Sequence, residues 1–215
     1  MGAIFIGGGG GKELTASLDE AYKSSILKSE KPATCLYIPH AMKQERHADA
    51  YEWFVDKYDF FNEVTLLKDR DDVIMEYSSI YLGGGFCHVL RDTLQGLGMD
   101  RAFFQSFVSS GGNLYGGSAG GVVLGKSLLF SREVMLHPEE FVPLQQDGFN
   151  VCSDLSFSPH YIGEDSEKME LERLAVKHGL GIVALGEDSG IIFRDNISYS
   201  IVNAEHTLQV GSGEL

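Results

Sequence analysis

The run Leu114-Tyr115-Gly116-Gly117-Ser118-Ala119-Gly120-Gly121-Val122-Val123-Leu124 joins two apolar flanks through a stretch of small residues. A backbone can pass so abruptly from strand to helix only where Cβ atoms are small or missing. The spacing Gly116-x-Ser118-x-Gly120 therefore predicts a serine at the tip of a strand–turn–helix elbow. The following helix would aim its free N–H groups and positive dipole end at a developing oxyanion, with the N–H of Ala119 the nearest donor. The same glycines also suit a turn that merely packs a helix close to a strand, so a chemical reading needs partners.

The rest of the pattern alternates strands and helices, which predicts an α/β fold: a mostly parallel sheet covered by helices on both faces. Ala3–Ile6, Cys35–Ile38, Glu63–Leu67, Ser79–Leu82 and Asn113–Tyr115 read as strands. A helix is expected from about Ser17, where Ser17-x-x-Glu20 fits a capping box, with Leu14, Leu18, Tyr22 and Ile26 on one face. His47–Tyr58 places Tyr51, Phe54, Val55 and Tyr58 at helical spacing, and Cys87–Leu97 and Asp100–Val108 read as further helices. Met169–His178 is helical, with Gly179 as its stop. Gly181–Leu185, Ile191–Arg194, Ile197–Val202 and Thr207–Val210 then read as short strands with a turn at Asp195-Asn196, which predicts an antiparallel edge. No internal repeat or linker divides residues 1–215, so one domain is expected, fraying at Gly211–Leu215.

A serine hydroxyl becomes a nucleophile only when a base takes its proton, and the base works best when a third group fixes its tautomer. Of the seven histidines, His160 in Ser156-Phe157-Ser158-Pro159-His160 is best placed, at the end of a strand-like run stiffened by proline. His137, before Pro138, is second; His178 and His206 read as a helix C-terminal cation and a late strand residue.

Together these features resemble the serine peptidase family S51 that contains dipeptidase E and cyanophycinase, whose members share a class I glutamine-amidotransferase-like α/β fold. The matching motifs are Gly116-Gly117-Ser118-Ala119-Gly120, Glu133 in Ser131-Arg132-Glu133, and His160 in Ser158-Pro159-His160. Tyr81-Leu82-Gly83-Gly84-Gly85 is similar to the family's strand ending in a glycine triplet, and Ala184-Leu185-Gly186-Glu187-Asp188-Ser189 to its late strand and turn. The resemblance implies a catalytic triad of Ser118, His160 and Glu133, with Glu139 and Glu140 as alternative third members. It also implies an oxyanion hole from the backbone N–H groups of Ala119 and of Gly84 or Gly85. Dipeptidase E has Asn-Thr after its triplet where this chain has Phe86-Cys87, so a bulky apolar group replaces a polar one there. The activity implied is hydrolysis of small peptides with an N-terminal aspartyl group, α- or β-linked, with no metal or organic cofactor.

An aspartyl carboxylate would need a local cation against a net charge of −14, and Arg132, Arg194 and Arg91 lie near the motifs. A cationic leaving residue would suit the overall field. The same charge, with no basic stripe, argues against nucleic-acid binding. No apolar run is long enough to span a bilayer and no signal-peptide pattern opens the chain, so a cytoplasmic location and no membrane partner are expected. The oligomeric state is open, a homodimer included. Three cysteines without Cys-x-x-Cys spacing suggest neither a disulfide framework nor a cysteine-rich zinc site. Gly7–Gly11 before Lys12 lacks both Walker and Rossmann spacing, which speaks against nucleotide binding; a flexible loop covering substrate fits better. Cys87-His88, at an expected helix start, offers an alternative thiol nucleophile for an amidotransferase-like protein. A non-catalytic binding protein on the same fold is the third reading.

Overall fold

The structure, a computed structural model, describes residues 2–11, 13–29, 31–73, 75–136, 146–194 and 199–211. The chain runs β1 (Ile4–Gly7), α1 (Ala16–Leu27), β2 (Thr34–Ile38), α2 (His47–Lys57), β3 (Glu63–Leu66), β4 (Ser79–Leu82), α3 (Cys87–Gly96), α4 (Arg101–Ser109) and β5 (Asn113–Gly117). It continues through α5 (Ala119–Leu124), α6 (Arg132–Leu136), β6 (Leu155–Pro159), α7 (Asp165–His178), β7 (Gly181–Leu185), β8 (Gly190–Phe193), β9 (Tyr199–Val202) and β10 (Thr207–Val210). The expected turn at Asp195-Asn196 and the residues after Gly211 lie outside the described residues.

The main sheet has the order β3-β2-β4-β5-β1-β8-β9. Its pairs from β3 to β1 are parallel, and β8 and β9 add the expected antiparallel edge. A separate sheet, β10-β7-β6, pairs β6 with β7 in parallel and β7 with β10 antiparallel. Alternation along the strands sorts the core onto two faces. Cys35 and Tyr37 of β2 join Tyr81 and Tyr115 against Tyr22 of α1 and Phe54 of α2. Leu36 and Ile38 instead join Leu82 and Leu114 against Leu90, Phe104 and Val122 on the other side.

Local details depart from the sequence expectation where a residue sits one step off a face. Helix α1 begins at Ala16, so Ser17 is already inside it and no capping box forms. Thr15, at the cap, donates its hydroxyl to Gly11 O (3.2 Å) or to Asp19 Oδ2 (2.6 Å). Leu14 precedes the first turn and Val55 lies one position round from buried Phe54; both are exposed. Gly179 ends α7 with φ 63°, the left-handed cap that glycine favours. Among the described residues no helix is long and apolar enough to cross a membrane.

Candidate active site

The elbow forms at the carboxyl edge of the main sheet. Ser118 follows β5 with φ 51°, a region costly for a side-chain-bearing residue by about 1–3 kcal/mol. Its neighbours hold it there: its N–H donates to Gly7 O at 3.1 Å, and its carbonyl accepts the Val122 N–H at 3.1 Å as α5 begins. Gly120 makes the turn possible, because a Cβ there would overlap the Leu82 backbone of β4.

His160 stands just past β6, also at positive φ (60°), its N–H donating to Gly8 O at 2.9 Å. Its Nε2 lies 2.8 Å from Ser118 Oγ. Its Nδ1 lies 3.0 Å from Oε1 of Glu187, just past β7. An ionised carboxylate can only accept, so Nδ1 carries the proton and Nε2 is left to accept the serine hydroxyl. Strand register explains the meeting: β6 and β7 are parallel with Pro159 opposite Leu185, so the residues after each strand emerge together.

The glycine run after β1 fastens this arrangement. Gly8 N–H donates to Ser189 O and Gly10 N–H to Glu187 O, each at 3.0 Å. Gly9 has φ 102°, and a Cβ there would sit 2.5 Å from His160 Cε1. The run is therefore not the loose cover expected from its composition; backbone bonds pin it against the imidazole.

Glu133 is not at the imidazole. Its Oε1 accepts the Cys87 N–H at 2.9 Å and the Cys87 thiol at 3.1 Å, so it serves the start of α3, and the carboxylate beside His160 is Glu187. The alternatives Glu139 and Glu140, and His137, lie outside the described residues. His178 ends α7, and His206 Nδ1 pairs with Asp188 Oδ2 at 2.6 Å. Of the three arginines, Arg132 lines the cavity at Ser118. Arg194 follows β8, which runs antiparallel to β1, so it falls at the far edge of the sheet, 3.4 Å from Ser200 Oγ. Arg91 lies over the Phe149 ring, its Nε donating to Asp147 O and its Nη1 pairing with Asp92.

Cys87 is fully buried, and burial, reinforced by the Glu133 charge, pushes its thiol well above the usual range. A thiol so placed is a poor nucleophile. Burial also lowers the neighbouring His88. Cys87, His88 and Glu133 have ligand atoms within 4.8 Å of one another, the grouping among the described residues with metal-ligand character. The thiol of that cluster is already bonded to Glu133.

A cavity of about 600 Å³ opens over Ser118 and His160, with Phe86, Arg132, Glu133 and Leu136 in its wall. Ala119 and Gly85 also line it, and Gly84 stands against Ser118 from the opposite side, where a Cβ would be 3.6 Å from Oγ. Among the described residues, no backbone bond engages the N–H groups of Ala119, Gly84 or Gly85.

Residues 3–199 match the description of peptidase family S51. A Drosophila melanogaster protein described as a probable alpha-aspartyl dipeptidase is 24% identical over 186 residues, covering 81% of this chain and 72% of the fly protein. Among solved structures, a peptidase from an acI-B1 Actinobacterium superposes with TM-score 0.66 at 20% identity, covering 100% of this chain and 96% of that one. A putative peptidase E protein from Listeria monocytogenes EGD-e gives TM-score 0.67 at 18% identity, covering 94% and 98%. The folds therefore agree across the whole architecture, and with the family match spanning nearly all of the sequence, the chain belongs to peptidase family S51.

Proposed function

We propose that the protein is a serine exopeptidase acting on small peptides through Ser118, His160 and Glu187. The observation that carries this reading is the unbroken chain Ser118 Oγ–His160 Nε2 (2.8 Å) and His160 Nδ1–Glu187 Oε1 (3.0 Å) at the floor of an open cavity. Ser118 attacks the scissile carbonyl while Nε2 takes its proton, and the same nitrogen returns that proton to the leaving amine. Glu187 fixes the tautomer and stabilises the imidazolium. The N–H groups of Ala119 and of Gly84 or Gly85 receive the oxyanion. Water then repeats the cycle on the acyl-enzyme.

The substrate reading is an N-terminal aspartyl residue, α- or β-linked. Arg132 and Glu133, consecutive on α6, both line the cavity. An aspartyl residue offers both complements, a carboxylate for Arg132 and a free ammonium for Glu133. The description of the fly relative points the same way. Phe86, Val122, Leu136 and Pro159 supply apolar surface elsewhere in the wall.

The test is hydrolysis of Asp-initiated and other dipeptides and aminoacyl chromophores by the parent and by Ser118→Ala, with and without iodoacetamide. A loss of at least about a thousandfold in Ser118→Ala, with the parent indifferent to alkylation, is expected. Equal activity of the two proteins, or its abolition by alkylation, would overturn the serine assignment.

A further inference from the structure

The main sheet separates two cavities, and Ser118 lines both. The first, on the α5 and α6 side, is the one described above. The second, about 280 Å³, lies on the α1 and α2 side and runs from Ser118 and Gly84 past Tyr37, Met42 and Trp53 to Lys57. If the first cavity holds the acyl residue, the leaving residue passes to the other side of the nucleophile.

Lys57 gives the second cavity a specific chemistry. Its side chain is 4% exposed. The ammonium donates to Thr15 Oγ1 at 2.8 Å and pairs with Asp19 Oδ2 at 2.9 Å, with the Trp53 and Tyr58 rings 5.2 and 5.0 Å away. An ammonium has three donors, and among the described residues two are engaged, so one remains for a ligand. Asp19 balances the Lys57 charge, and its own charge is spread by the hydroxyls of Tyr58 (2.8 Å) and Tyr115 (3.1 Å), so the pair offers the cavity an ammonium N–H donor rather than a net positive charge. A charge-assisted N–H donor at the end of an aromatic pocket is suited to a carboxylate attached to an apolar body.

We infer that this cavity is the leaving-residue subsite, taking an apolar residue whose free α-carboxylate is held by Lys57. The inference rests on the reading of Ser118 as nucleophile. It makes the peptidase selective for peptides whose second residue is the last. It also opposes the overall acidic field, which would favour a cationic leaving residue.

Trp53 is the sole tryptophan of the chain, so its fluorescence reports on the cavity without any catalytic turnover. L-leucine and L-leucinamide are titrated into the wild-type protein and into Lys57→Met. Leucine should change the emission saturably, with a dissociation constant on the order of millimolar. Leucinamide, which keeps the side chain and loses the carboxylate, should bind at least about tenfold more weakly, although the acidic field favours its extra positive charge. Lys57→Met should bind the two alike. Equal binding of both ligands by the wild type, or no response to either, would overturn the inference even if the variant does not fold. The readout is independent of hydrolysis, so a failed nucleophile assignment and a failed subsite register in different experiments.

Discussion

Two carboxylates, Glu187 and Glu133, flank the candidate site, and the structure assigns them different partners. Replacing each by glutamine separates them. At Glu187 the substitution removes the charge facing the imidazolium that forms as Ser118 gives up its proton, and offers an amide that can favour the wrong tautomer. Unit charges about 4 Å apart interact by about 1 kcal/mol in water and about 4 kcal/mol near a protein surface. The Glu187 side chain is 51% exposed and that of His160 26%, so a value between these limits, about 1.5–3 kcal/mol, applies. At about 1.4 kcal/mol per decade, Ser118 reactivity should fall roughly 10- to 100-fold. That is well short of the about ten-thousandfold loss seen when a buried orienting carboxylate is neutralised.

The assay that isolates this step is phosphonylation of Ser118 by a small fluorophosphonate, followed by intact mass. The probe has no ammonium, so it reads activation of the nucleophile and ignores peptide recognition. Glu187→Gln should slow labelling by the stated factor. Glu133→Gln keeps a carbonyl oxygen for the Cys87 N–H and should stay within about threefold of the parent, by the same reasoning that gives Glu133 no contact with the base. The reverse ordering, with Glu133→Gln slow and Glu187→Gln unaffected, would refute the assignment.

Two further outcomes follow from the packing. Gly9→Ala should lower kcat/KM by about a hundredfold and cost about 1–3 kcal/mol of stability, because the position has φ 102° and the new methyl would stand 2.5 Å from His160 Cε1 and move the imidazole off Ser118; parent-like kinetics in a folded variant would contradict the close approach. Burial raises the phenols of Tyr22, Tyr58, Tyr81 and Tyr115 and the thiols of Cys35, Cys87 and Cys152. Their stabilising effect is complete below the unfolded values, about pH 8.5 for thiols and 10 for phenols, and is lost above them by about 1.4 kcal/mol per pH unit and group, because only the unfolded chain releases those protons. Cooperative alkaline unfolding between about pH 9.5 and 11 is expected, with tyrosinate absorbance and far-ultraviolet circular dichroism changing together. Full tyrosinate formation in a chain that keeps its native dichroism would refute it.

The parts of this site that could be read from sequence are those set within a few residues. The elbow is one, because its turn needs small side chains at fixed offsets around Ser118. The strand-end histidine is another, since Pro159 announces it locally. Glu187 is a different case. Its distance from His160 in the chain is 27 residues, and only the parallel register of β6 and β7 across α7 brings the two together. The two strands and the helix between them were legible, so the general rule that parallel strands end on the same side held the signal. Arg132 was legible from its place beside Glu133 and does line the cavity, whereas Arg194 failed for a related reason: it is close in sequence to the late turn, but the antiparallel direction of β8 carries it to the opposite edge.

Glu133 shows how an acidic residue can belong to the site without touching the base. The triplet Gly83-Gly84-Gly85 runs directly into Phe86 and α3, and Phe86 at the cap has no side-chain bond to offer the helix. Glu133 supplies the missing acceptor from α6, at Cys87 N–H. The segment bearing the candidate oxyanion donors is thereby tied to the wall that carries Arg132, while on its other side Gly83 N–H to Ile38 O (2.9 Å) and Phe86 N–H to Ala41 O (2.8 Å) tie it to the end of β2 and the turn after it. An alanine at 133 would strip both the charge and the acceptor, loosening the triplet along with the pocket, whereas glutamine removes the charge alone. Glutamine is therefore the substitution that distinguishes a carboxylate needed for its charge from one needed to hold a helix start in place.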